Sequence, residues 1–357
     1  MTSHDPDPTL QNTDDYDYAL PRQLIAQYPL PKRSDARLMV VNRAEGSIQH
    51  RHVRDLPDLL RPHDCLVVND SRVVPARLLG RRTLTGGAWE GLFLSADADG
   101  RWRLLAKTRG KLQPGETVTL TNRLGEEDIR LQMLEKQTGG VWVARPESPD
   151  DVYSLLERVG RVPLPHYIRG GEMVDEDRGR YQTVYARQPG SAAAPTAGLH
   201  FTDELLVRLV DAGVTPVRVT LHVGIGTFRP IATATLADHR MHCERGELTE
   251  TAVARIERCR AEGGRIVAVG TTSVRILETA ACSGTLVPWS GETDLFIRPP
   301  YRFRAVEALM TNFHLPRSSL LVLVRTFGGD ELISRAYDEA IRERYRFYSY
   351  GDAMLIL

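Results

Sequence analysis

The chain has 357 residues, 42% hydrophobic and 26% charged, which fits a globular protein with room for two domains. Its 46 basic residues balance 46 acidic ones, so no whole-molecule field draws it to nucleic acid. Cys65, Cys243, Cys259 and Cys282 show neither C-x-x-C nor zinc spacing, so no metal site and no disulfide framework are expected, and no apolar run reaches the length of a membrane span.

Residues 1–14 are polar and acidic and read as a disordered lead, not as a signal peptide. Together with the cysteine usage, this predicts a cytoplasmic protein. A short helix is expected from Arg22 to Gln27, broken by Tyr28-Pro29-Leu30-Pro31. Leu38 to Asn42 reads as a strand, and Val53 to Leu60 as a short helix. From 64 to 146 the character changes. Seven short strand-like runs follow one another (Cys65–Val68, Ala76–Leu79, Trp89–Ser95, Trp102–Ala106, Glu116–Leu120, Ile129–Leu134, Val141–Ala144), with no helical period between them. A helix is expected at Val152–Val159, followed by a charged loop at Glu172–Arg180 that reads as either a mobile lid or a solvated surface loop.

Thr202 caps a helix whose apolar stripe is Leu205, Leu206, Leu209 and Val210, and Gly213 closes it. The following strand alternates: Val217, Val219, Leu221, Val223 and Ile225 face one way, and Arg218, Thr220, His222, Gly224 and Gly226 the other. Further on come a helix at Glu250–Ala261, a strand at Arg265–Val269, a helix at Val274–Ala280 and a strand at 305–313. The apolar segment Leu320–Val324 follows, and then an amphipathic helix with Asp330 as its cap. The expected fold is mixed α/β. A discontinuous main domain occupies 15–63 and 147–357, and a small antiparallel β-barrel is inserted at 64–146.

Several constellations could carry chemistry. His200 precedes a helix N-terminus, where negative charge is favoured, and His222 sits on a glycine-lined strand face; both read either as site residues or as core histidines. Gly270-Thr271-Thr272-Ser273 joins a strand to a helix, which suits an anion or simply caps the helix; it lacks the P-loop lysine and spacing. Gly224-Ile225-Gly226 lacks a third glycine and a following helix, which argues against a Rossmann fold. Asn69-Asp70-Ser71-Arg72 ends an apolar strand as either a turn or a binding wall. Arg344 to Tyr350 interleaves basic and aromatic groups, as in a single-stranded RNA grip or a packed C-terminal strand. Only four basic residues are lysine and 42 are arginine, a bias that genome composition explains without RNA binding.

Together the motifs carry a family resemblance. They are DYDYALP at 15, LIAQYPLPKRSDARLMV at 24, LVVNDSRVVPARL at 66, GRVPLPHYI at 160, RYQTVYA at 180, AAPTAGLHFT at 193, TLHVGIGTFRPI at 220, VGTTSVRILE at 269, MTNFHLPRSSLLVLV at 310 and YRFYSYGDAMLI at 345. The chain resembles the S-adenosylmethionine:tRNA ribosyltransferase-isomerases of queuosine biosynthesis over nearly all of its length. Departures are Pro300 for glycine, Ser71 and Ser319 for threonine, and Tyr348 for phenylalanine.

The resemblance implies an α/β domain with an inserted barrel and S-adenosylmethionine used as a ribosyl donor. The acceptor is a 7-aminomethyl-7-deazaguanine at the tRNA wobble position. The product is epoxyqueuosine, with adenine and methionine released. Residue chemistry then suggests roles. His200 and His222, then His314, are candidate acids or bases, with Asp70 beside them. Asp70 and Arg72, with Asn69, would position the acceptor. Thr271, Thr272 and Ser273 would hold the methionine carboxylate, with Arg275 behind. Thr196, Gly198, Gly224 and Gly226 would wall the pocket, and Arg344 and Arg346 would contact the anticodon stem-loop. A monomer is expected. The competing readings are a non-catalytic RNA binder and an enzyme acting on a free nucleoside.

Overall fold

The apolar run Leu66-Val67-Val68 lies in the middle of the larger sheet, and the chain is arranged around it. This computed structural model describes residues 12–224 and 230–357. The elements are, in order, β1 (Arg37–Asn42), β2 (Ser47–His52), α1 (Leu56–Leu59), β3 (Cys65–Asn69), β4 (Ser71–Val73), β5 (Arg77–Arg82), β6 (Ala88–Ala96), β7 (Trp102–Thr108), β8 (Thr117–Thr121), β9 (Glu127–Lys136) and β10 (Val141–Pro146). There follow α2 (Val152–Val159), β11 (Gly160–Arg161), α3 (Asp177–Arg180), β12 (Gln188–Ser191), α4 (Asp203–Asp211), β13 (Thr215–Leu221), β14 (Glu244–Leu248), α5 (Glu250–Ala261) and β15 (Ile266–Val269). The chain ends with α6 (Thr271–Ala280), β16 (Trp289–Thr293), β17 (Ala308–Asn312), α7 (Ser319–Gly328), α8 (Asp330–Arg342) and β18 (Ala353–Ile356).

The chain divides into two units, Met1–Arg72 with Arg180–Leu357, and Val73–Gly179. In the first, nine strands run β16-β14-β13-β3-β15-β17-β18-β1-β2. Strands β13, β3, β15 and β17 are parallel. Strand β18 runs antiparallel to β17, and β1 runs parallel to β18. The carboxyl ends of four strands and the amino ends of β18 and β1 therefore share one edge. Strand β3 is the switch point, with β13 on one side and β15 on the other, and in open α/β sheets such edges carry ligands.

Leu66, Val68, Val267, Val269 and Met310 pack on one face with Phe201, Leu205 and Leu209. Full burial of each such side chain contributes about 1.5–3 kcal/mol. Their alternates, Cys65, Val67, Ala268 and Leu309, are buried on the other face, where α5 and α6 pack against β13 and β15. Local signals position the helices. Thr202 Oγ1 accepts the Leu205 N–H at 3.2 Å, Thr249 Oγ1 accepts that of Ala252 at 3.2 Å, and Ser318 Oγ accepts that of Leu321 at 3.2 Å. Gly213 ends α4 at φ +82°.

In the second unit, β5-β6-β7-β10-β9-β8 closes through β5–β8 into an antiparallel barrel, which abolishes sheet edges. Trp89, Phe93, Trp102, Leu131, Met133 and Trp142 fill it. Gly91 is required there, because a Cβ would lie 2.1 Å from the Trp89 ring.

Several expectations are corrected. Cys65–Val68 is not a barrel strand but β3, the centre of the parallel sheet. A strand buried on both faces reads in sequence much like a barrel strand. The smaller unit runs from Val73 to Gly179 where the sequence suggested 64–146, because α2 and β11 belong with the barrel and β11 pairs with β5. The polar edge strands β2 and β16, and β14 next to β16, lack an apolar signature and were not expected. Of the expected disordered lead, residues 1–11 lie outside the described residues. Asn12 bridges Thr235, and Thr13–Tyr16 forms a 3-10 turn. The expected helix at Arg22–Gln27 is one 3-10 turn at Arg22–Leu24, the apolar run at Leu320 is helix α7, and α8 is preceded by Gly329 at φ +87°. Among the described residues, no helix is long and apolar enough to cross a membrane.

Candidate active site

Three turns at the carboxyl edge, together with the 3-10 turn Thr196–His200, enclose a pocket. Its lining includes Pro195, Thr196, Val223, Thr271, Thr272, Asn312 and His314. After β15, Gly270 adopts φ +85°, a conformation that disfavours side chains, and its N–H reaches Met310 O at 2.7 Å. Its carbonyl accepts the N–H groups of Ser273 and Val274, and Ser273 Oγ donates back to Val269 O at 2.8 Å. Helix α6 thus starts at Thr271, earlier than the expected Val274, and has no side-chain cap. Thr272 is only 8% exposed, and its Oγ1 is buried without a hydrogen-bond partner among the described residues. Across the pocket, Thr196 Oγ1 donates to Asn312 Oδ1 at 2.9 Å, and Asn312 Nδ2 donates to Tyr348 O at 3.1 Å.

His314 lies on the pocket wall. Its Nε2 is 2.7 Å from Thr311 Oγ1, and its backbone N–H donates to Tyr337 Oη at 2.9 Å. Burial alone pushes its pKa down to about 3, so the ring is neutral near pH 7. This has a consequence for stability. In the unfolded chain His314 titrates near its ordinary 6.5, so acid favours unfolding. The stabilising contribution is fully present above pH 6.5 and is lost as pH falls towards 3. His314→Gln should reduce the slope of urea-unfolding free energy between about pH 4 and 6 by about 1.4 kcal/mol per pH unit. An unchanged slope would show that His314 charges as easily folded as unfolded.

His222 follows β13 and is half-buried, with Nδ1 at 2.9 Å from Ser71 Oγ. A Cβ on Gly190 would lie 3.2 Å from the imidazole, so glycine there lets the chain pass against the ring. Burial, then the charge of Arg245, lowers the His222 pKa, and Asp70 opposes them. Asp70 is fully buried. Its Oδ1 accepts the Thr220 hydroxyl at 2.7 Å, Arg187 Nη2 lies 3.1 Å from Oδ2, and its carbonyl accepts the N–H groups of Arg187 and Gln188.

The structure separates the other candidates from this pocket. His200 is a tie within the fold, since Nδ1 and Nε2 are each 3.0 Å from a carbonyl, Ala197 O and Gly351 O, and neither is available to substrate. Asn69 uses its amide on the Leu221 and Ser71 backbone. Gly198 packs against Tyr185, whose Oη would lie 2.1 Å from a Cβ. Arg275 is buried and forms an ion pair with Glu244, and it also donates to Thr293 O at 3.1 Å and Leu295 O at 3.2 Å. Glu244 Oε1 in turn accepts the Gly224 N–H at 3.0 Å, so Arg275 braces the segment after His222 and does not itself face the pocket. Gly226 lies outside the described residues. Arg72 and Arg344 are exposed, whereas Arg346 is half-buried and donates to Tyr28 O. Tyr345, Phe347, Tyr348 and Tyr350 are buried, so the C-terminal aromatics form core and not a stacking platform. Asn312 and Ser71 were missed as wall and partner, although both stand inside quoted motifs. Among the described residues, no group of three His, Cys, Asp or Glu could hold a metal.

A switch-point sheet whose loop-bearing edge gathers hydroxyls, an amide, a free helix N-terminus and neutral histidines defines an α/β enzyme with its substrate at the strand ends. The chain belongs to the queuosine biosynthesis protein family, whose profile matches residues 13–356. It is similar to proteins named S-adenosylmethionine:tRNA ribosyltransferase-isomerase. The one from Symbiobacterium thermophilum is 53% identical over 96% of this chain and 99% of its own length, and that from Gloeobacter violaceus is 49% identical over 97% and 96%. A crystal structure described as S-adenosylmethionine tRNA ribosyltransferase from Thermotoga maritima is similar at 37% identity. It has a TM-score of 0.56 and covers 96% of this chain and 100% of that one.

Proposed function

We propose that this chain transfers and isomerises the ribosyl group of S-adenosylmethionine onto 7-aminomethyl-7-deazaguanine at the wobble position of tRNA, releasing adenine and methionine. The observation that carries this is near-50% identity along almost the whole chain to proteins named for that activity. We assign S-adenosylmethionine to the pocket at Thr196, Thr272 and His314. Among the described residues the pocket lining holds no carboxylate and no cationic side chain, and the first-turn N–H groups of α6 supply positive potential. The unpartnered Thr272 hydroxyl supports seating the methionine carboxylate there. Thr272→Val should raise KM for S-adenosylmethionine roughly tenfold, the value of one hydrogen bond to a charged group. Affinity for the decarboxylated analogue should not change, and an equal loss with both ligands would remove the carboxylate from this seat.

We assign the proton at the ribose 5′ carbon, made acidic by the neighbouring sulfonium, to His222 Nε2. That nitrogen has no partner among the described residues, and Nδ1 is held by Ser71. His314, neutral near pH 7, serves as a hydrogen-bonding wall. The acceptor nucleotide is taken as part of an anticodon stem-loop, splayed from its stack so that its amine can be reached. The protein is taken as a cytoplasmic monomer. The test is adenine release. It should require both S-adenosylmethionine and tRNA carrying the aminomethyl precursor. Release without RNA would favour a nucleoside enzyme, and RNA binding without release a non-catalytic binder.

A further inference from the structure

Asp70 is a buried carboxylate without a task in the reaction proposed above. It follows directly on β3, at the switch point of the sheet, and is fully buried. The backbone that carries it is fixed on both sides. Its N–H donates to Val219 O at 2.9 Å, and its carbonyl accepts the N–H groups of Arg187 at 2.8 Å and Gln188 at 3.1 Å. Next to it in the chain, the Asn69 amide holds both the N–H and the carbonyl of Leu221, and the Ser71 hydroxyl meets His222 Nδ1.

The two carboxylate oxygens differ. Oδ1 accepts the Thr220 hydroxyl at 2.7 Å. Oδ2 lies 3.1 Å from Arg187 Nη2, but not in the geometry of a hydrogen bond, and it accepts none among the described residues. A buried carboxylate oxygen ordinarily accepts charge-assisted hydrogen bonds. The Arg187 side chain is 61% exposed, and this one charge contact is all that holds its guanidinium among the described residues. So exposed a partner neutralises the charge without fixing it, and a smaller cation that aims its N–H groups at Oδ2 would bind better. The place is next to the reaction. The His222 N–H donates to Arg245 O at 2.8 Å, which continues the pairing of β13 with β14, so Thr220 and His222, two residues apart, share one face of the strand. Asp70 thus lies on the His222 side of the strand, and its charge acts on that imidazole. The acceptor of the proposed reaction carries a primary amine on one methylene, which in neutral water is an ammonium, as a lysine side chain is.

We propose that Asp70 is the seat of the acceptor's aminomethyl group: the ammonium displaces the Arg187 guanidinium and donates to Oδ2. This rests on the function proposed above. The chemistry recognised is a compact cation. S-adenosylmethionine is also cationic, and the experiment separates the two.

Fluorescence anisotropy compares two anticodon stem-loops, one with the aminomethyl base and one in which a neutral ethyl group of similar size replaces aminomethyl. Calorimetry gives the affinity for S-adenosylmethionine. The wild type should prefer the aminomethyl loop roughly 10- to 100-fold, the value of a hydrogen bond to a charged group. Asp70→Asn keeps the shape and an acceptor for Thr220. It should abolish the preference and leave the affinities for the ethyl loop and for S-adenosylmethionine unchanged. Arg187→Gln removes the competing cation and should widen the preference, a ratio in which any contact of Arg187 with the rest of the RNA cancels. A preference that survives in folded Asp70→Asn would overturn the proposal. So would a loss of S-adenosylmethionine affinity there with the preference intact, which would give the carboxylate to the other substrate. A preference unchanged or narrowed in folded Arg187→Gln would show that the guanidinium stays in place, and would overturn it too. If Asp70→Asn does not fold, the Arg187→Gln ratio decides alone. If the preference depends on Asp70 yet the wild type releases no adenine, the catalytic reading fails and the ammonium seat stands.

Discussion

Arg275→Ala is expected to destabilise the protein by about 3–5 kcal/mol, read by urea unfolding at neutral pH. The ion pair of Arg275 with Glu244 is almost fully dry, with side chains 3% and 1% exposed. Removing the cation leaves a carboxylate buried without its counter-charge, and Thr293 O and Leu295 O lose their donor. The penalty comes from the stranded charge more than from the lost pair. The double replacement Arg275→Met, Glu244→Leu should therefore recover most of the stability, since it strands nothing. This distinguishes a brace from a ligand grip. If Arg275 held the substrate carboxylate instead, Arg275→Ala would raise KM for S-adenosylmethionine with unfolding barely changed. A stability loss under about 1 kcal/mol would rule out the brace.

His222→Ala is expected to lower kcat by about 10²–10⁴-fold with S-adenosylmethionine affinity preserved, the range for loss of a positioned base. The sign of the pH dependence follows from its surroundings. Burial and Arg245 hold the pKa below the ordinary 6.5, and a base must be unprotonated. Activity should therefore persist through pH 6.5, and the acid limb of kcat/KM should fall below it. Arg245→Gln removes the second cause and should move that limb upward. An acid limb above 6.5, or a fall in kcat of less than about threefold in His222→Ala, would exclude the role.

The fold was legible where burial repeats at a regular spacing. The amphipathic α4, α5 and α8 and the strands β1 and β15 stand close to where periodicity puts them, and the capping residues Thr202 and Ser318 act as expected. It was not legible where pairing is long-range. Nothing local tells β3 from a barrel strand, and β14 and β16 are polar strands that exist because β13 offers an edge. The site divided in the same way. Residue type alone singled out three histidines, but two carbonyls occupy His200, whereas His222 is half-buried with Nδ1 against Ser71 and His314 is a buried residue of the pocket wall. Arg275 pointed to an anion, and the anion is Glu244, 31 residues away in the chain, which spacing cannot reveal.

The pairing of β1 with β18 also bears on how the chain is made. Arg37 N and Asp352 Oδ1 meet across 315 residues of sequence, and β17 likewise waits for β18. The barrel strands, in contrast, find partners among neighbours. During synthesis the barrel can close early, since local pairings form first, whereas β1, though paired with β2, keeps its other edge open until β18 emerges. The sheet of the first unit is thus completed only once residues 353–356 have been made. A partly made chain can present a finished barrel while its nine-stranded sheet is still incomplete.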